Sequence, residues 1–148
     1  MKHEIRALEV NDLPDAIKLI ETVFMAFEAP DYDVEGVEEF MSFIQLKSLA
    51  EKITCGKLRA WGCYDNHRLI GVIAMRLPSH IALLFVDADY HRQGIARALF
   101  NAAKNDYPTT ITVNSSPYAE TVYEKLGFTK ISDVQKINGM LFIPMTYN

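Results

Sequence analysis

Two segments of this chain hold side chains and backbone whose types and spacing suit chemistry. In the first, apolar Leu83-Leu84-Phe85-Val86 runs through Asp87-Ala88-Asp89-Tyr90-His91-Arg92-Gln93 into Gly94-Ile95-Ala96-Arg97-Ala98-Leu99-Phe100. This reads as a buried strand, a polar turn, and a helix with small residues in its opening turn. The first N–H groups of a helix have no partner inside it and lie at the positive end of its dipole, where phosphate oxygens bind well. Gly94 and Ala96 let a pyrophosphate come close to the main chain, while Arg92 and Arg97 flank the turn with positive charge. The segment therefore predicts a phosphate-bearing cofactor that brings its own chemistry. A Walker phosphate loop and a glycine-rich dinucleotide fingerprint are both excluded, because Gly94 stands alone and no Gly-Lys-Ser/Thr follows it. Taken alone, the same letters also suit a helix that only packs closely.

The second segment is Thr110-Ile111-Thr112-Val113-Asn114-Ser115-Ser116-Pro117-Tyr118, continuing to Tyr123-Glu124-Lys125-Leu126-Gly127-Phe128. With it the chain resembles the GCN5-related N-acetyltransferases, the GNAT superfamily. The family's phosphate loop, Gln/Arg-x-x-Gly-x-Gly/Ala, is matched by His91-Arg92-Gln93-Gly94-Ile95-Ala96. Its later Tyr-x-x-x-Gly-Phe helix end is matched by Tyr123 to Phe128, in the same order along the chain. The letters depart at His91, at Asp87-Ala88-Asp89, and at Ser116, which stands where the family often has Asn. The resemblance is specific from Leu83 to Phe128 and implies acetyl-CoA as the cofactor. It implies that Arg92, Gln93, Gly94, Ile95, Ala96 and Arg97 hold the pyrophosphate. It also implies that the backbone of Leu84, Phe85 and Val86 pairs with the pantetheine amides as an added strand would.

Acetyl transfer requires a neutral amine, a partner for the oxyanion, and a proton for the leaving thiolate. Backbone N–H groups at the end of the strand 81–86 suit the oxyanion. The resemblance makes Tyr123 the general acid, whereas its spacing with Ala119 and Val122 alone favours a core aromatic. Several residues are open for the base and the acceptor. Glu28, Asp31 and Asp33 occupy a loop between the first helices and suit a cationic amine, or form a solvated acidic loop. His80 stands at the entry to the strand leading into the cofactor loop, with an ordinary pKa suited to neutral pH. Ser115, Ser116 and Tyr118 lie beside the expected site and suit ordering a water. The expectation is an N-acetyltransferase working by direct attack in a ternary complex on a small-molecule or peptide amine. A CoA-binding sensor that has lost turnover is the reading from another class, and transfer of a longer acyl chain is a further one.

The elements that must position these groups follow from periodicity. Residues 3–8 alternate as a strand. Asn11 or Asp12 caps a helix with Pro14 in its first turn, and apolar residues recur at helical spacing to Phe27. Residues 34–53 read as a second helix, 58–64 and 69–77 as strands, 81–86 as a strand buried on both faces, and 94–106 as a helix. Then come a strand at 109–114, a short helix at 117–126 ended by Gly127, and a hairpin of 128–137 and 140–147 turning at Asn138-Gly139. The order β-α-α-β-β-β-α-β-α-β-β predicts an α/β mixed sheet with helices on both faces, the GNAT-like acyltransferase fold, as a single domain over residues 1–148.

Composition agrees with that reading. The chain has 148 residues, 49% of them hydrophobic, and a formal net charge of −4. The acidic balance argues against a nucleic-acid surface. Four scattered histidines and two isolated cysteines suggest neither a metal site nor a disulfide framework, and a reducing, cytoplasmic setting is expected. No run of the sequence is long enough to span a bilayer, so no membrane partner is expected. The final hairpin, as an edge, could pair two copies into a homodimer.

Overall fold

The computed structural model describes residues 3–148. A sheet ordered β1-β2-β3-β4-β5-β8-β6 runs through the molecule, with β7 paired to β8. Its strands are β1 (Glu4–Ala7), β2 (Leu58–Asp65), β3 (Arg68–Arg76), β4 (His80–Val86), β5 (Ile111–Ser115), β6 (Thr129–Lys130), β7 (Gln135–Ile137) and β8 (Met140–Tyr147). The helices are α1 (Leu13–Phe27), α2 (Val34–Phe43), α3 (Leu46–Thr54), α4 (Ile95–Lys104) and α5 (Glu120–Leu126). Alternation along the strands feeds two cores. Leu58, Ala60, Val72, Leu83 and Phe85 pack with Ile20, Phe24 and Phe40 under α1 and α2. Trp61, Ile70, Ile73, Met75 and Ile81 pack with Leu99, Phe100, Tyr123 and Met145 on the side of α4 and α5.

The expected helix over 34–53 is two helices. Gln45 adopts an extended ψ of 142°, and α3 restarts after it. Ile44 and Leu49 are both almost fully buried. In one straight helix, residues five apart point about 140° away from each other, so the break lets both reach the same core. The last hairpin also differs from expectation. Its first arm is interrupted between β6 and β7 by Ile131 to Val134, with polar Ser132-Asp133 at the centre. The turn itself is as read, with Asn138 and Gly139 at φ 54° and 78°, the backbone of a tight hairpin turn.

β4 was expected to be buried on both faces, yet its burial alternates, with Ile81, Leu83 and Phe85 buried and the others half-buried. The reason is its neighbour. β4 and β5 run parallel and pair only at His80↔Thr112 and Ile81↔Val113, then diverge. A bulge accompanies the divergence: Ala74 pairs with Leu83 while Met75 pairs with Ile81, leaving Ala82 as the extra residue. The bulge turns Ala82 and Leu83 both toward the α1 side. Beyond Ile81, the edge of β4 facing β5 has no strand partner.

Candidate active site

The gap between β4 and β5 opens into a cavity of about 320 Å3. Its lining includes Leu83, Leu84 and Phe85 from β4, Asn114 and Ser116 from the end of β5, Tyr123 from α5, and Glu28 and Tyr32 from the α1–α2 connection. Four candidate residues from separate parts of the sequence, Glu28, His80, Ser116 and Tyr123, are thereby brought together. Asp31 is exposed on the short turn after α1 and does not line the cavity, although its charge acts on Glu28.

Glu28 sits at the C-terminal end of α1, its N–H bonded to the Phe24 carbonyl at 2.9 Å. Burial pushes its carboxyl from 4.5 up to about 7; the Ser116 hydroxyl pulls it down and the Asp31 charge pushes it further up. Ser116 Oγ accepts from the Ala119 N–H at 3.2 Å, so its own proton is available to the Glu28 carboxylate. Tyr123 is buried, and burial, then the charges of Glu28 and Tyr32, hold its phenol well above the ordinary range. Tyr32 is pushed up to about 12, first by burial and then by Glu28 and Asp31. Among the described residues the Tyr123 hydroxyl makes no hydrogen bond and is free to donate into the cavity. The backbone of the Tyr123 to Phe128 motif explains its letters. Gly127 takes φ 107° to end α5, the Phe128 N–H returns to the Tyr123 carbonyl at 3.0 Å, and the two rings meet edge to face at 5.5 Å.

His80 also lines the cavity. Its Nδ1 lies 2.8 Å from Thr112 Oγ1, and burial and then the Arg76 charge lower it from 6.5 to about 4. At neutral pH it is an uncharged, weakly basic imidazole. Of the two residues left open for the base, His80 is thus the weaker proton acceptor and Glu28 the stronger.

The open edge of β4 offers a row of backbone groups. Asp87 N–H bonds to Ile70 O at 2.8 Å across the pair Gly71↔Val86, which fixes the parity of the ladder. Leu84 and Val86 therefore turn their N–H and C=O toward the gap. Phe85 turns its own toward Val72 of β3, so the expected backbone pairing by Phe85 is corrected: its main chain is taken up by β3. His91, which reads as a turn residue, donates from Nε2 to the Val86 carbonyl at 2.8 Å and packs on Phe27 at 5.3 Å. It ties the turn to the end of β4.

Past that turn, Arg92 and Gly94 both adopt left-handed backbone, at φ 64° and 79°, and α4 begins. Ala98 N–H is the first to return into the helix, to Gly94 O at 3.0 Å, so the N–H groups of Ile95, Ala96 and Arg97 are unpaired in it. A Cβ at Gly94 would meet nothing within 4 Å, so the cradle is open to an incoming group. Ile95 is buried and contributes only its main chain. Arg92 and Gln93 are exposed. The Arg97 guanidinium is engaged elsewhere, donating to the Lys125 carbonyl at 2.6 Å at the end of α5. The loop and the adjoining strand edge fit a phosphate-ended, amide-bearing arm.

Sequence reasoning missed Tyr32, Glu39, Phe40, Phe43, Arg76 and Met140, which complete the cavity wall. They come from the α1–α2 connection, from α2, from the end of β3 and from the last hairpin, and only tertiary packing unites them. The close approach of that hairpin to α2 was foreshadowed by one signal, the glycines 36 and 139. A Cβ on Gly36 would collide with the Gly139 carbonyl oxygen, and Asp33 N–H bonds to the same oxygen at 3.0 Å. The turn tip is thus docked on the chain's own helix.

Residues 28–148 match the family described as Acetyltransferase (GNAT) domain. The chain belongs to that family of acetyltransferases. The uncharacterized N-acetyltransferase YafP of Escherichia coli (strain K12) is 29% identical over 91 residues, which are 62% of this chain and 59% of that protein. The chain thus spans less than two thirds of that relative. Among solved structures, the PaiA N-acetyltransferase of Thermoplasma acidophilum in complex with coenzyme A superposes with a TM-score of 0.80 at 21% identity, covering 99% of both chains. A GCN5-related N-acetyltransferase from Rhodopseudomonas palustris superposes with a TM-score of 0.84 at 19% identity, covering 99% of this chain and 96% of that one. At these identities the likeness concerns the fold. Among the described residues, no helix is long and apolar enough to cross a membrane.

Proposed function

We propose that the chain transfers an acetyl group from acetyl-CoA directly to a primary amine while both are bound. The observation that carries this reading is the meeting of Glu28 and Tyr123 in one cavity beside an unpaired strand edge that leads to an open phosphate cradle. The cofactor supplies the acetyl group as a thioester. The N–H groups of Ile95, Ala96 and Arg97 and the charge of Arg92 hold its phosphates. Leu84 and Val86 hold its amides through the main chain.

In this reading the Glu28 carboxylate takes the proton shed by the attacking amine. A carboxyl that titrates at about 7 is half ionised near neutrality, and it is a far stronger base than an ordinary glutamate. The Tyr123 phenol remains protonated over the working range and donates its O–H toward the departing sulfur. N–H groups on the open edge of β4 receive the negative charge that builds on the carbonyl oxygen. Ser116 orients Glu28.

The test is calorimetric titration with acetyl-CoA, followed by CoA release against a panel of amines in the same preparation. Binding with amine-dependent release is the expected outcome. Binding with no release would favour a sensor of acyl-CoA. Absence of binding would reduce the Gly94 turn to a packing device and end the proposal.

A further inference from the structure

Arg76 ends β3, opposite His80 in the sheet register, and lines the same cavity as Glu28 and Tyr123. It is the only lysine or arginine in that lining. Among the described residues its guanidinium has neither an ion pair nor a hydrogen bond, unlike Arg59, Arg68 and Arg97, which each have a partner. An arginine left unpaired beside a cavity presents a flat fork of donors that fits a carboxylate with two parallel hydrogen bonds. The surrounding charges narrow the ligand further. Glu28 and Glu39 lie in the same lining, and Glu39 also lacks an ion pair among the described residues. A dianion such as a phosphate monoester would face these two acids with a single cation to hold it. A simple diamine would leave the Arg76 charge facing charge of its own sign. A molecule carrying one amine and one carboxylate matches both ends. His80, beside Arg76 in the sheet register, is uncharged near neutrality and does not compete for the anion.

Resting on the amine-acceptor reading above, we propose that the acceptor is an amino acid, its carboxylate anchored by Arg76 and its reacting amine directed at Glu28. Arg76 is then the residue that sets acceptor specificity. Along the sheet, Arg76 is level with His80 and Thr112, and Ser116, which contacts Glu28, lies four residues further on. At a strand rise of about 3.3 Å per residue that is about 13 Å of strand, so the anchor and the reacting amine occupy different ends of the site.

The experiment compares acceptors that differ only by the carboxylate and carry the amine away from it: lysine with 1,5-diaminopentane, and 4-aminobutyrate with propylamine. The expected result is a kcat/KM about tenfold or more in favour of the carboxylate member in at least one pair, as a hydrogen-bonded charge pair provides. Arg76→Gln should abolish that preference through KM, leave the KM for acetyl-CoA unchanged, and be partly rescued by Arg76→Lys. Because Arg76 is exposed and unpaired, the variants should fold as the parent does. A parallel readout without turnover is the NMR signal of the Arg76 side chain in CoA-loaded protein, assigned by its loss in Arg76→Gln. It should shift with the carboxylate member and not with its partner. Equal or better use of the decarboxylated amines overturns the anchor while leaving the transferase reading intact. A carboxylate-dependent Arg76 shift with no CoA release on any amine overturns the transferase reading and keeps the anchor.

Discussion

Replacing Glu28 with glutamine should make the protein more stable and less active at one and the same pH. The folded carboxyl titrates at about 7 against an ordinary 4.5, so the native state holds its proton more tightly than the unfolded chain does. Native stability therefore declines as pH rises from 4.5 through about 7, and the full cost of ionising Glu28 in the fold is present above that. At ~1.4 kcal/mol for each pKa unit, the rise from 4.5 to about 7 corresponds to about 3 kcal/mol, an upper value because Glu28 keeps some contact with solvent. Glutamine has the same shape and no charge to desolvate. Urea unfolding of both proteins should give nearly equal stabilities at about pH 4, where the acid is neutral in both states, and a widening advantage for Glu28→Gln up to about pH 8. In the same buffers the variant should lose about 10²- to 10⁴-fold in kcat/KM, the range expected for a general base. The parent's acidic limb near 7 should also vanish. The acceptor's own ionisation produces a limb as well, but that limb moves when the acceptor is changed, and the Glu28 limb does not. Stability curves that stay parallel over the whole range, or an acidic limb that survives in the variant, would refute the assignment.

Tyr123→Phe should lower kcat by about 10²-fold or more and leave CoA affinity within about twofold, because only a proton donor is deleted. Turnover at the parent level would make Tyr123 a packing residue. Gly94→Glu should weaken CoA binding by about 10²-fold, since its carboxylate would project into the open cradle that phosphates need, while Gly94→Ala should show only the strain of φ 79°. Calorimetry on the two variants separates charge from strain, and unchanged affinity in Gly94→Glu would remove the basis for the cradle. Gly36→Ala should cost about 1–3 kcal/mol by driving a methyl group into the Gly139 carbonyl. Because the hairpin forms one lip of the acceptor end, acceptor KM should rise with CoA affinity unchanged; equal stability would show that the hairpin yields freely.

Local signals carried the cofactor side of the site and tertiary packing carried the rest. Gly94, Gly127 and the Asn138-Gly139 turn each require a backbone state that few other residues tolerate, so their letters point to their geometry. Pro14 likewise marks the start of α1, but the expected side-chain cap is not made: Asp12 stands at the cap position and its carboxylate accepts instead from the Glu9 N–H behind it, at 2.8 Å. The break at Gln45 was not legible, because no glycine or proline stands there and the apolar spacing on either side continues a helical pattern. The bulge at Ala82 was hidden for a related reason. An unbroken apolar run gives no sign of which residues share a face, and a one-residue slip reverses every side chain beyond it. The resemblance that assigned backbone contacts to Leu84, Phe85 and Val86 together could not tell which of them face the gap, and the main chain of Phe85 pairs with β3. Glu28 was visible only as one acid among three in a loop. What distinguishes it from Asp31 and Asp33 is its position against Ser116 and Tyr123, set by chain about ninety residues away.

With Glu28 as the base and Tyr123 as the acid, as proposed, one physical cause, removal from water, serves two opposite chemical needs in this cavity. It raises Glu28 until the carboxylate is basic enough to accept a proton near neutrality, and it raises Tyr123 until the phenol cannot lose its proton before the thiolate asks for it. The two effects reinforce each other, because the Glu28 charge is itself one of the reasons why Tyr123 remains protonated. Burial alone would overshoot for the base: a carboxyl raised much further would be neutral at working pH and take no proton. The Ser116 hydroxyl supplies the counterweight, since its bond to the charged form pulls Glu28 down. The Ala119 N–H holds the Ser116 oxygen in place, and the hydroxyl proton remains to be given to Glu28. In the proposed mechanism Ser116 is thus tied to the choice of base, and the turn between β5 and α5 tunes a residue at the end of α1.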